Sequence, residues 1–111
     1  MCKITSGYFF SWKSFIARTG GEEFAIVLQG YRIEHAADKA QKALKRIREE
    51  VFINGGQELR FTMSMGVAQL GVSEDVSDWI KRADEALYQS KEGGRDQFTL
   101  AKFIKNSINV A

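Results

Sequence analysis

The chain has 111 residues, of which 44% are hydrophobic and 27% charged, with a formal net charge of +2. This is ordinary globular composition for one domain or part of one. It excludes wholesale disorder, and so small a charge gives no argument for a nucleic acid or an anionic membrane as partner. The single cysteine, Cys2, excludes an internal disulfide framework and every multi-cysteine metal site. It fits a reducing compartment, and the cytoplasm is the expected location. No run approaches the roughly 18 apolar residues of a membrane span. The N-terminal apolar stretch is broken by Ser11, Lys13 and Ser14 and has no small-residue cleavage site after it, so it does not read as a signal peptide.

The small net charge hides an uneven layout. No Asp or Glu precedes Glu22, and all 14 carboxylates lie between Glu22 and Asp96. In chain order, Tyr8, Phe9, Trp12, Phe15 and Ile16 fall near helical spacing. They read either as a short amphipathic helix or, being aromatic and β-branched, as strand. Two apolar runs, 15–18 and 23–28, flank Thr19-Gly20-Gly21-Glu22 and predict a β-hairpin. Over 34–51, Ala36, Ala40, Ala43, Leu44, Ile47 and Val51 recur every three or four residues, which predicts an amphipathic helix ended by the Asn54-Gly55-Gly56 turn. Strict alternation over 59–68 predicts a strand with one buried face. A second helix is predicted over 76–90, with Gly93-Gly94 just past its end, and a last strand over 98–104. Helices alternating with strands on one sheet predict an α/β or α+β sandwich of two layers.

Two segments carry chemistry. In Arg18-Thr19-Gly20-Gly21-Glu22-Glu23-Phe24, paired glycines let backbone approach a bulky ligand, and an adjacent carboxylate can hold Mg²⁺ alongside phosphates. Glu22 and Glu23 point to opposite faces of an extended strand, so both cannot serve one metal without local distortion. The plain alternative is a tight turn with solvated glutamates. In Lys91-Glu92-Gly93-Gly94-Arg95, two cations flank a flexible pair and can close on a phosphate, lysine as a point charge and arginine as a fork; the alternative is a solvated helix end. The sole histidine, His35, has no Cys or second His near it and reads as surface. No Walker loop, G-x-G-x-x-G or H-E-x-x-H is present.

Three segments in order resemble the GGDEF family, the diguanylate cyclase domain. They are Arg18-Thr-Gly-Gly-Glu-Glu-Phe24, Phe61-Thr-Met-Ser-Met-Gly-Val-Ala68 and Arg82-Ala-Asp-Glu-Ala-Leu-Tyr-Gln-Ser-Lys-Glu-Gly-Gly-Arg95. The resemblance implies an α+β fold with a palm-like sheet of the nucleotidyl cyclase type and helices packed on it. It implies condensation of two GTP into cyclic di-GMP with Mg²⁺, between two domains that face each other as a homodimer. Carried over, Glu22 is a metal ligand and catalytic, and Glu23 is needed for activity. Gly20 and Gly21 lie against the nucleotide, and Lys91 and Arg95 bind its phosphates. Arg46 falls about where some members place a secondary arginine for product inhibition.

The sequence also departs from the family. Members carry a second metal-binding Asp, and an Asn and Asp that read guanine, before the signature. Here no carboxylate precedes Glu22 and no Asn precedes Asn54. The inhibitory R-x-x-D stretch is Ser11-Trp12-Lys13-Ser14, and Asp96 stands where the family usually has Asn. The expected organisation is an unmatched segment 1–14, a GGDEF-like unit 15–104 lacking the family's N-terminal part, and a tail 105–111. A missing N-terminal strand would leave a bare sheet edge and a tendency to self-associate. The chain alone is expected to be inactive or weakly active. The alternative function is a non-catalytic module that binds GTP, cyclic di-GMP or a protein partner.

Overall fold

A computed structural model describes residues 2–5, 15–20 and 23–102. Among these, strands β1 (Cys2–Thr5), β2 (Phe15–Gly20) and β3 (Glu23–Val27) precede helix α1 (Ile33–Glu49). Strands β4 (Phe52–Asn54), β5 (Gln57–Leu59) and β6 (Met65–Ala68), helix α2 (Val76–Glu92) and strand β7 (Phe98–Leu100) follow. The main sheet has the order β2-β3-β1-β6-β7, and β4-β5 form a separate two-stranded ribbon. β1 pairs parallel with both β3 and β6, β6 with β7 likewise, and β2 runs antiparallel to β3.

Side-chain parity places the helices on opposite faces of the sheet. Met65 and Val67 pack with Ala36, Ala40 and Leu44 of α1, whereas Ala68 packs with Trp79 and Ala83 of α2. The two-layer expectation is therefore corrected to three layers, helix on sheet on helix. The reason is visible in β6, where all four residues are buried. A strand covered on both sides cannot show the alternation of one buried face. The alternation read over 59–68 also breaks down outside Met65–Ala68, since Phe61 is 53% exposed.

Gly66 marks the closest approach. A Cβ there would lie 2.2 Å from the Ala83 carbonyl oxygen and 2.4 Å from the Leu87 nitrogen, so only glycine lets β6 sit this near α2. Trp79 Nε1 donates to the Ala68 carbonyl at 2.9 Å inside the same contact. Trp79→Phe keeps much of the packing and leaves that carbonyl without its donor. A loss of about 1–3 kcal/mol in urea-unfolding free energy is expected.

Both helices have tertiary or local caps. The Ile33 amide at the start of α1 donates to Gln69 Oε1 at 2.8 Å, a cap from 36 residues away. The Asp75 carboxylate caps α2 by accepting from the Asp78 amide. The end of α1 departs from the sequence reading. Glu50 is already extended, and Phe52 and Ile53 form strand instead of a further turn of helix. Asn54-Gly55-Gly56 is the turn of the β4–β5 ribbon, with Gly55 at φ 59° and Gly56 at φ 82°, the pair of positive values a tight hairpin needs.

The hairpin predicted around Gly20-Gly21 forms between β2 and β3. Of the helix-or-strand alternatives for the aromatic stretch, Phe15 and Ile16 fall in strand, while residues 6–14 lie outside the described part. β1 was not foreseen. It occupies the middle of the sheet, so the edge strands are β2 and β7. The last strand is shorter than the predicted 98–104, and residues beyond 102 lie outside the described part, as does the tail.

Candidate active site

A phosphate site requires the Gly-Gly hairpin and the end of α2 to meet, and the topology brings them together. β3 and β6 point the same way because both run parallel to β1. α2 packs back along β6, so its last turn returns to the end at which both strands begin. Glu23 opens β3, and Lys91 lies in the last turn of α2. Val27 packs against the α2 cluster, and Glu23 shares its parity on the strand, hence the same face. Lys91 Nζ donates to Glu23 Oε2 at 3.3 Å, across 68 positions of sequence.

An open cleft of 330 Å³ lies around this pair, lined by Glu23, Asp84, Leu87, Tyr88 and Lys91. Asp84, Leu87, Tyr88 and Lys91 recur at helical spacing, so one face of α2 forms a wall of the cleft. Asp84 and Tyr88 lie within the third family-like segment without standing out in the sequence as cleft residues; their three- to seven-residue spacing from Lys91 on one helical face is the signal that marks them. Tyr88 is 63% exposed, an aromatic face at the cleft rim.

The loop after α2 has a defined backbone. Gly94 adopts φ 114°; its amide turns back to the Lys91 carbonyl, and the Arg95 amide donates to the Ser90 carbonyl at 2.9 Å. These two bonds make a Schellman end, which accounts for the glycine past the helix. Arg95 is thereby tied to the residue preceding Lys91. Ser90 is fully buried, and its hydroxyl donates to the Met65 carbonyl at 2.7 Å, fixing the end of α2 to β6.

Of the remaining expected site residues, Gly20 pairs with Glu23 across the hairpin. Gly21 and Glu22 lie outside the described residues. Arg46 is exposed on α1. His35 is exposed too, its ring 5.3 Å from that of Tyr31.

The donor set suits one kind of cation. Glu23 and Asp84 place two carboxylates on one cleft, and Mg²⁺ takes one or two carboxylates and leaves its other positions to water and phosphate oxygens. Among the described residues no group of three or more His, Cys, Asp or Glu side chains could hold a metal by itself. Among the described residues the cleft thus does not resemble a closed structural metal site. The Lys91–Glu23 pair is partly exposed, with side chains 22% and 34% accessible, so it holds little folding free energy and its partners can be exchanged for a ligand's charges.

Comparison with known proteins gives a consistent result. Residues 9–97 match the family described as "Diguanylate cyclase, GGDEF domain". The chain is 36% identical over 87 residues to diguanylate cyclase A of Treponema denticola, covering 78% of this chain and 24% of that protein. It is 34% identical over 84 residues to a diguanylate cyclase of Vibrio cholerae, covering 75% and 26%. It is 33% identical over 96 residues to the bifunctional diguanylate cyclase/cyclic di-GMP phosphodiesterase MucR of Pseudomonas aeruginosa, covering 86% and 13%. The chain thus spans about a quarter or less of the length of these relatives. Among the described residues no helix is long and apolar enough to cross a membrane.

Proposed function

Since this chain belongs to the GGDEF domain family, we propose that its cleft binds the phosphates of GTP and that it serves the condensation of two GTP into cyclic di-GMP. The observation that carries this reading is the approach of Glu23, from the glycine hairpin, to Lys91 at the end of α2. An anion entering there meets the Lys91 head, which lines the cleft. The sheet is read as the palm-like sheet of nucleotidyl cyclases, and residues 15–104 as the GGDEF-like unit.

In this reading Lys91 and Arg95 neutralise the phosphate chain, and Gly20 and Gly21 leave room for it. Glu22 is the carboxylate that would hold Mg²⁺, and Glu23, opposite Lys91, is needed for activity. Bound Mg²⁺ supplies charge neutralisation and an activated hydroxyl at such sites. Two copies would face each other, each presenting one GTP.

No carboxylate precedes Glu22 in this sequence, so one metal anchor is lacking from the chain as it stands. A phosphoryl-transfer site short of an anchor loses on the order of 10³-fold in rate. Little or no turnover is therefore expected from this chain alone. The same feature favours a second reading, a module that binds GTP or cyclic di-GMP without catalysis.

Titration calorimetry with GTP and Mg²⁺, and with cyclic di-GMP, tests both readings. Lys91→Ala and Arg95→Ala are each expected to weaken GTP binding by roughly tenfold, the scale of one charge-assisted hydrogen bond. Urea unfolding of Lys91→Ala should shift by less than about 1 kcal/mol, which separates lost binding from lost fold. Absence of GTP binding by the parent chain would overturn the phosphate-site reading. Turnover abolished by Glu22→Ala would overturn the expected inactivity.

A further inference from the structure

Two consecutive non-glycine residues after α2, Arg95 and Asp96, both have positive φ, 66° and 51°. Left-handed backbone costs a non-glycine residue free energy, and two in succession persist only where surrounding contacts hold them. The contacts are specific. Arg48, in the last turn of α1, points its Nε at both Asp96 carboxylate oxygens, at 2.9 and 2.8 Å, and its Nη2 at the Asp96 carbonyl at 3.3 Å. One guanidinium thus grips the side chain and the backbone of the same residue through two of its nitrogens, in a fixed planar fork that a single ammonium lacks. Gln97 adds a second tie, its Nε2 donating to the carbonyls of Ser90 at 3.1 Å and Arg95 at 3.3 Å.

We infer that Arg48 is a positioning residue: by holding Asp96 it fixes the left-handed turn that presents Arg95 beside the end of α2. This rests on the phosphate-site reading for its functional consequence, while the anchoring itself is independent of that reading. Arg46 lies two positions from Arg48 on α1, and the contacts to Asp96 are made by Arg48.

The test uses the whole chain in four forms: parent, Arg48→Ala, Arg48→Lys and Arg95→Ala. Amide hydrogen exchange over residues 94–97 reads the turn directly. Exchange there should quicken in Arg48→Ala and in Arg48→Lys, with the melting temperature nearly unchanged because the pair is partly exposed. Titration with GTP and Mg²⁺ should show about tenfold weaker binding for Arg48→Ala, the scale on which outer partners act on a site. Adding Arg48→Ala to Arg95→Ala should cost nothing further, because the turn then has no guanidinium to present. Unchanged exchange over 94–97 in Arg48→Ala overturns the inference. So does a full tenfold loss that persists on top of Arg95→Ala. A parent chain that binds no GTP, with exchange quickened in Arg48→Ala, overturns the role in presenting Arg95 to a phosphate and the phosphate-site reading with it, and leaves the anchoring of the turn established.

Discussion

Gly66→Val is expected to lower the unfolding free energy by about 3 kcal/mol or more, the upper range for overpacking a well-packed contact. The obstacle is backbone, not a side chain that can swing away. A Cβ at position 66 would sit 2.2 Å from the Ala83 carbonyl oxygen and 2.9 Å from the Leu87 Cα, so α2 itself must move off the sheet. Moving α2 disturbs more than one contact. Trp79 loses its hold on the Ala68 carbonyl, Ser90 its hold on the Met65 carbonyl, and Lys91 its place opposite Glu23. For a domain of this size about 3 kcal/mol corresponds to a fall in melting temperature of roughly 10–15 °C. Thermal unfolding followed by circular dichroism measures it. Gly66→Ala, with one methyl instead of three carbons, should fall between the parent and Gly66→Val. A valine variant that melts with the parent would mean that α2 does not press on β6 as described.

This contact also explains what sequence pattern reveals and what it conceals. The helices are legible because each has an apolar face: Ala36, Ala40 and Leu44 are buried along α1 at the spacing read from the sequence, while along α2 the buried face is Trp79, Ala83, Ala86, Leu87 and Ser90, and Val76 and Tyr88, which also fall at helical spacing, are exposed. β6 was misread as half-exposed. Met-Gly-Val-Ala contains small residues that fit under a helix on one face and larger ones on the other, and alternation of size resembles alternation of burial. β1 was not legible, because four residues, Cys-Lys-Ile-Thr, carry too little pattern to define a strand. The end of α1 was overrun because Val51 continues the helical spacing by coincidence, while Phe52 and Ile53 prefer an extended chain.

The site divided in the same way. Glycine pairs and clustered charges announce themselves, so the Lys91–Arg95 segment draws attention in the sequence, and the structure brings Lys91 of that segment to the cleft. The meeting of Glu23 with Lys91 follows from strand direction and parity, which only the assembled sheet decides. Arg48 was invisible for a further reason. Its partner is 48 positions away, and an arginine in the last turn of a helix is already accounted for by the helix dipole.

The second large effect is expected at Glu74, whose side chain is 3% accessible. Arg82 grips it with two nitrogens, Nε on Oε2 and Nη2 on Oε1, each at 2.8 Å, and the Gly71 amide donates to Oε1 at 2.9 Å. The same guanidinium reaches the carbonyls of Gln69 and Lys102, so one arginine ties the loop before α2 to the strand ends on either side. Glu74→Gln leaves Arg82 charged, largely buried and without its counter-ion, and a loss of about 3 kcal/mol is expected. Replacing both partners with apolar residues of similar volume, Glu74→Leu with Arg82→Met, should recover part of that loss, since the desolvation cost of the pair disappears with it.

The pH dependence carries a definite sign. The hydrogen bonds from Arg82, helped by the Gly71 amide, hold the Glu74 carboxyl below its ordinary value, against the opposing effect of burial. The unfolded chain therefore takes up this proton at higher pH than the folded one does. The stabilisation is fully present above the unfolded value of about 4.3 and is lost as pH falls from there through the lower folded value. Urea unfolding of the parent between pH 7 and pH 3 should show stability dropping over the acid end of that range. The Glu74→Gln variant, with no proton to take up at this position, should show a shallower drop. Parallel acid profiles for parent and variant would show that the buried pair does not control the acid response.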